Sequence, residues 1–451
     1  MPVALIVLAA GKGTRMHSDL PKVLHPVAGE ALLIHAICAG EALAPARTVV
    51  VAGHGANAVR ATVAAHDSAA QVVLQTEQLG TAHAVAQAAE TLSNFDGDVL
   101  VLYGDTPFIR PETLARMRDA RQDHDIVVLG FAPAEPGRYG RLVMQGESLI
   151  RIVEFKDASA DERAIGLCNS GVVMAPAGLL FDLVGAVDNR NAAGEYYLTD
   201  IVGLARARGL SATAVTCDEA ETLGVNSRTE LAAAEAAFQA HARADALETG
   251  ITMPAPDTVH FARDTVVGRD VVIEPYVVFG PGVTIETGAH IRAFSHLEGC
   301  HVSRGAVVGP YARLRPGTEL SEDVRIGNFV EVKNALIAQE AKVNHLSYIG
   351  DAEIGERSNV GAGTITCNYD GVGKHRTRIG ADVFIGSDTM LVAPVSLGDG
   401  SMTGSGSVIT RDVEAGALAV ARARQEVKPG FAKRLLARLR AAKDQANKGE
   451  R

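Results

Sequence analysis

The sequence predicts a two-part chain, an α/β domain followed by a parallel β-helix, with a linker helix between them. Three observations carry this. Short aliphatic runs alternate with helical patterns as far as residue 226, a capped alanine-rich stretch occupies 227–250, and from Val267 to Leu397 an aliphatic residue recurs with a six-residue period. The predicted divisions are therefore 1–226, 227–250 and 251–451.

In the first part, "ALIVLAA", "RTVVVAG", "AQVVLQT", "DVLVLYGD" and "DIVVLGF" are strand-length runs separated by amphipathic segments. That alternation predicts a mostly parallel sheet with right-handed crossovers. Ligands of such sheets sit beyond the carboxyl ends of the strands. Two loops fall there, "LAAGKGTRMHSDLPKVLHPV" (residues 8–27) and "YGDTPF" (103–108). The first gathers Gly11, Gly13, Arg15 and Lys22 behind a buried run, a composition suited to holding phosphate. It is neither of the two common phosphate signatures. A P-loop needs Gly-Lys-Ser/Thr, and the dinucleotide fingerprint needs a glycine where Met16 stands.

Ser227 and Glu230 predict a capping box, and "LAAAEAAFQAHARADALE" predicts a helix ending at Gly250. At 1.5 Å per residue it is about 30 Å long, enough for a spacer. Beyond it, Val267, Ile273, Phe279, Ile285, Ile291 and Leu297 mark the period, and after a one-residue slip Val302, Val308, Leu314, Leu320, Ile326 and Val332 continue it. One inward aliphatic per hexapeptide is the signature of three short flat faces per coil. "TCNYDGVGKHRTR" (366–378) has no inward aliphatic in register and predicts an external loop, the usual seat of function on a rigid solenoid. The basic C-terminal arm predicts an amphipathic helix, frayed over its last fifteen residues.

Composition narrows the function classes. Aromatics are 4% and Trp is absent, so the cores are aliphatic. Five cysteines, an odd number without C-x-x-C spacing, argue against a disulfide framework or a zinc cluster, and a reducing cytoplasm is the simplest home. A formal charge of −10 disfavours nucleic acid, and no apolar run reaches the length of a membrane span. Anionic substrates therefore require local groups of Arg and Lys.

The opening loop, followed in order by "QTEQLGTAHAV", "YGDTPF", "GRYGRL", "IVEFKDA", "CNSGV", "EYYLTD" and "GVNSR", resembles the sugar-phosphate nucleotidylyltransferases. The second part resembles the hexapeptide-repeat acyltransferases. With "RLRPGTEL", "GNFVEVKNA", "NHLSYIGDAEIG", "GAGTITCNYDG" and "VFIGSDT", the whole chain resembles the family of bacterial bifunctional N-acetylglucosamine-1-phosphate uridyltransferases and glucosamine-1-phosphate acetyltransferases. The resemblance implies a Rossmann-like nucleotidyltransferase domain, a linker helix and a left-handed parallel β-helix of hexapeptide repeats. It also implies acetylation of glucosamine-1-phosphate by acetyl-CoA, then uridylyl transfer from UTP, Mg²⁺ as cofactor and a homotrimer. A single-activity nucleotidylyltransferase with a structural β-helix, or a non-enzymatic scaffold, shares the architecture; the full set of site residues separates them.

For nucleotidyl transfer the resemblance assigns Leu8, Ala9, Ala10, Gly11, Gly13, Arg15 and Lys22 to the triphosphate. Gln75, Gly80 and Thr81 face uracil, with Tyr103 and Gly104 alongside. Gly140, Glu154 and Asn169 face the sugar, and Asp105 and Asn226 hold Mg²⁺. For acetyl transfer it assigns His345 as base. Arg315, Lys333 and Lys374 hold the sugar phosphate, Tyr348 and Asn359 hold the sugar, and Asn368, Tyr369, Ser387, Ser405 and Arg422 hold acetyl-CoA. Asn344 beside the base, and "TGSGSV" around Ser405, depart from the family's small residue and alanine-rich stretch.

Overall fold

The computed structural model describes residues 1–449, in two compact units. The first comprises Met1–Gly250, Ala255–Thr265 and Phe279–Gly282; the second comprises Ile251–Pro254, Val266–Val278 and the chain from Val283 onward.

The first unit is built on β1 (Val3–Ala9), the hairpin β2 (Pro26–Val27) and β3 (Glu30–Ala31), then β4 (Arg47–Ala52), β5 (Gln71–Leu74), β6 (Asp98–Tyr103), β7 (Ile126–Phe131), β8 (Arg141–Gln145), β9 (Ser148–Val153), β10 (Cys168–Pro176) and β11 (Ala212–Cys217). The main sheet runs β5-β4-β1-β6-β10-β7-β11-β9-β8. β1, buried along its whole length, is parallel to β4 and β6 in the centre. The sheet is more mixed than the alternation predicts: β10 runs antiparallel to β6 and β7, and the β8–β9 hairpin forms an antiparallel edge. Aliphatic layers cover both faces, one around Ile6, Val49 and Val101, the other around Leu5, Val50 and Leu100.

The long helix Arg228–Glu248 belongs to this unit rather than standing outside it as a spacer. Its Ala234 joins the cluster of Val27, Ala28, Leu32 and Val225. Its buried Gln239 amide donates to Phe261 O at 2.7 Å and accepts from Phe261 N at 2.9 Å. The predicted capping box is split. Ser227 Oγ accepts from Glu230 N at 3.3 Å, but the Glu230 carboxylate accepts from Asn226 N at 2.6 Å instead of from Ser227 N.

The second unit is a left-handed parallel β-helix of hexapeptide repeats. Each short strand pairs with one a coil away: Val266 with Thr284, eighteen positions on, and His290 with Val307, seventeen positions on across the slip. The periodic residues from Ile273 to Leu397 are all buried; Val267, on the first coil, is half-buried. The external loop is shorter than 366–378. Thr366 and Thr377 are fully buried, and strands Ile365–Cys367 and Thr377–Ile379 continue the ladders on either side. Inward threonines therefore replace aliphatics at both ends of the insertion. The arm forms a helix, Phe431–Gly449, exposed through residue 445; residues 450–451 lie outside the described residues.

Candidate active sites

A cavity of about 320 Å³ opens at the carboxyl ends of β1 and β6. Leu8, Ala9, Ala10, Gly11, Lys22, Gln75, Gly80, Thr81, Tyr103 and Asp105 line it, with Gln78 and Glu195. Gly13 has φ +59, and a Cβ there would lie 2.6 Å from Lys22 Cβ, so glycine lets the loop fold back against the lysine. Pro21, extended at φ −51 and ψ 138, leads into the 3₁₀ turn Lys22–Leu24. The Lys22 ammonium then donates to the Asp105 carboxylate and, at 2.9 Å, to Asn226 Oδ1. A loop, a strand end and a helix N-terminus meet at this cation. Lys22 and Asp105 are only 11% and 19% exposed, so water screens the pair weakly.

Gly80 (φ +120) is required on two counts, since a Cβ there would also stand 2.4 Å from Tyr196 O. Buried Gln75 donates to Gly80 O at 3.1 Å, Gln78 donates to Ala10 O at 2.9 Å, and Thr81 Oγ1 accepts from Leu198 N at 2.9 Å. Tyr103 also lines a smaller hollow with Asn169 and Thr199. Beside it, Thr199 donates to Glu154 at 3.3 Å, Asn169 N donates to Gly140 O at 2.9 Å, and a Cβ on Gly140 would touch the Glu154 carboxylate at 3.4 Å. Burial holds Glu154 above the usual carboxylate range, partly opposed by the Thr199 bond and reinforced by Asp200. Gly104 N donates to Leu8 O at 2.9 Å, tying β6 to β1. Arg15 is exposed on the turn Thr14–Met16, which is anchored by buried Met16, and lies outside the cavity lining.

On the β-helix, Arg315 N donates to Val332 O at 2.9 Å, which sets Arg315 on the coil preceding Lys333. Lys374 reaches Lys333 from the external loop. The contact with Lys374, then its charge and that of Arg315, hold the Lys333 ammonium below its ordinary value. Three cations thus gather, with Glu331 2.8 Å from Arg315 and the Asp351 carboxylate close enough to act on Lys333 and Lys374. The loop is stiffened from within: Asp370 accepts from Val372 N at 2.8 Å and Gly373 N at 2.7 Å and pairs with His375 at 2.7 Å, while Tyr369 OH donates to Gly371 O at 2.7 Å. Asn368 is buried and donates to Asp351.

His345 ends the strand Lys342–His345, one coil after Asn328, whose Oδ1 lies 2.9 Å from His345 Nδ1. With the amide oxygen accepting, Nδ1 carries the proton and Nε2 keeps its lone pair. Tyr348 opens the next strand, its hydroxyl over Gly350, and Asn359 pairs with Lys342 one coil on. Gly406 N donates to Ser387 O at 2.8 Å, and Arg422 donates to Ser405 O at 2.5 Å, so Ser387, Ser405 and Arg422 fall on neighbouring coils. A Cβ on Gly386 would stand 2.6 Å from Ser405 N, which is why glycine follows the inward Ile385.

The MobA-like NTP transferase domain family matches residues 5–166, and the bacterial transferase hexapeptide (six repeats) family matches 264–299 and 376–411. The bifunctional protein GlmU of Ruegeria sp. strain TM1040 is 66% identical over 449 residues, and that of Roseobacter denitrificans 68% identical over 449, each covering 100% of both chains. The chain belongs to the GlmU family. A solved UDP-glucose pyrophosphorylase complexed with UDP-glucose, 16% identical, covers 53% of this chain and 100% of its own at a TM-score of 0.43.

GlmU membership brings two activities, acetyl transfer to glucosamine-1-phosphate and uridylyl transfer to N-acetylglucosamine-1-phosphate, on the route to UDP-N-acetylglucosamine. Within this GlmU chain the fold adds residues that sequence reasoning passed over. Gln78 and Glu195 lie inside motifs already quoted, yet only the cavity distinguishes them from their neighbours. Asn328 sits seventeen positions before His345, a coil length that the repeat itself makes readable.

Proposed function

We propose that the first unit joins the phosphate of N-acetylglucosamine-1-phosphate to the α-phosphorus of UTP, releasing pyrophosphate, and that the second unit moves acetyl from acetyl-CoA to the amine of glucosamine-1-phosphate. The observation carrying the first assignment is the convergence of Lys22, Asp105 and Asn226 at one edge of the cavity. Both reactants are polyanions, so catalysis is positioning and charge neutralisation. A carboxylate and an amide oxygen already turned toward one cation form a donor pair that suits Mg²⁺. When bound there, Mg²⁺ supplies charge neutralisation on the phosphoryl oxygens. Lys22 supports the transferring phosphate, and Arg15 adds charge from the exposed loop. Gln75, Gly80 and Thr81 select the base; Gly140, Glu154 and Asn169 take the sugar's polar groups.

In the second unit His345 Nε2 accepts the amine proton as nitrogen attacks the thioester carbonyl. The C–N bond forms, the C–S bond breaks, and the proton passes on to the leaving thiolate. Asn328 keeps the imidazole in the required tautomer. Arg315, Lys333 and Lys374 bind the phosphate monoester, with Tyr348 and Asn359 on the sugar and Tyr369, Ser387, Ser405 and Arg422 toward the coenzyme. Asn368 acts through Asp351 rather than on acetyl-CoA directly. Burial pushes the Cys300 thiol up to about 12 and also raises Cys367, which favours direct transfer over an acyl-cysteine. The family resemblance favours a cytoplasmic homotrimer supplying cell-envelope precursors. The half-exposed aromatic stack of Tyr276, Phe294, Tyr311 and Phe329, with ring centroids 4.9–5.3 Å apart, is apolar surface that a neighbouring copy would cover. Among the described residues no helix is long and apolar enough to cross a membrane.

Paired variants test the assignment. Asp105→Ala is expected to abolish pyrophosphate release and spare thiol release from acetyl-CoA. His345→Ala is expected to lower acetyl turnover by about 10²–10⁴ and spare uridylyl transfer. Equal loss of both activities in either variant would sink the division of labour.

A further inference from the structure

Away from both sites, two helices of the first unit bring three chemically different donors together. Cys38 and Glu41 lie on the helix Leu32–Glu41, three residues apart and so on one face. His66 ends the helix Ala56–His66. His66 Nε2 is 3.7 Å from Cys38 Sγ and 2.9 Å from Glu41 Oε1, and all three donor atoms lie within 4.8 Å of one another. No other such trio of His, Cys, Asp and Glu donors occurs among the described residues.

We propose that Cys38, Glu41 and His66 form a surface site for a borderline-soft divalent cation of the Zn²⁺ class. Thiolate, imidazole and carboxylate are the three ligand types zinc takes, and three protein ligands with a solvent-facing fourth position is a complete set. Zn–S of about 2.3 Å and Zn–N or Zn–O of about 2.0–2.1 Å place tetrahedral donors roughly 3.3–3.6 Å apart. The sulfur–nitrogen contact needs almost no change, and the nitrogen–oxygen contact opens by about half an ångström. Glu41 and His66 each close a helix, where the unpaired carbonyls favour positive charge. The bound ion would clamp the ends of two helices that flank the sheet.

The test is Co²⁺ titration of the full-length protein followed by visible and near-ultraviolet absorption, then Zn²⁺ competition against a chromophoric chelator. The expected result is one equivalent of Zn²⁺ per chain at this site, and a sulfur-to-Co²⁺ charge-transfer band. Cys38→Ser is expected to lose the band, and Cys38→Ser and His66→Ala each to weaken Zn²⁺ binding at least tenfold, with both enzymatic activities retained as the measure of intact folding. Asp105→Ala separates this site from the nucleotide site and is expected to leave the band unchanged. Absence of the band in the wild type, its survival in Cys38→Ser, or unaltered Zn²⁺ affinity in His66→Ala would overturn the proposal.

Discussion

Glu154 sets binding against stability. It sits part-buried beside Thr199 and Gly140, and burial holds its proton above the usual carboxylate range. The fold therefore favours the protonated form. Stability is lost as pH rises from the ordinary carboxylate value through the raised one, and the penalty is complete above both. Glu154→Gln removes the charge but keeps the shape. Its Tm is expected to exceed that of the wild type at pH 7.5, by about 2–4 °C for each kcal/mol relieved, and the margin to vanish near about pH 3, where the glutamate is neutral in both states. Uridylyl transfer should fall at the same time, read as a raised KM for the sugar phosphate. Thermal melts at the two pH values and steady-state kinetics check both halves. None of this is legible in "IVEFKDA", because the environment of Glu154 is made by Thr199 and Gly140, far off in sequence.

The helix Arg228–Glu248 was legible as a helix but not as part of a domain. Its alanines and polar residues read as a solvated rod, and what buries Gln239 is the backbone of Phe261, a partner that periodicity does not announce. The external loop was misjudged at its far end for a related reason, since hydrophobic counting passes over an inward threonine such as Thr377, which is fully buried. The inward aliphatics themselves were readable because each belongs to its own hexapeptide and needs no distant partner to declare its face. At the N-terminus of the long helix, Glu230 holds Asn226 N, and Asn226 Oδ1 faces Lys22. Glu230→Ala is thus expected to cost about 1 kcal/mol in helix capping and to lower uridylyl transfer about tenfold while leaving acetyl transfer unchanged. Parallel assays of the two reactions on one preparation test this.

At the scale of the molecule, the first unit's limits govern which fragments survive. A fragment of residues 1–229 loses Leu231, Ala234 and Phe238 from the cluster around Val27, Leu32 and Val225, whereas one of residues 1–250 keeps them. The shorter fragment is expected to melt several degrees lower and to aggregate on heating, the longer to retain uridylyl transfer; differential scanning fluorimetry with the pyrophosphate assay distinguishes them. The β-helix raises a different matter, the order in which contacts form. Every ladder there joins residues about one coil apart: Glu331 to Tyr348, seventeen positions on, and even across the loop only Ala352 to Thr377, twenty-five positions on. An all-β structure ordinarily has to close long chain segments before its pairings stabilise it, and refolds slowly for that reason. This one never closes a long segment. Each finished coil is a template for the next, so its refolding is expected to advance as a zipper from whichever coil forms first, with a search time set by a single turn rather than by the length of the solenoid.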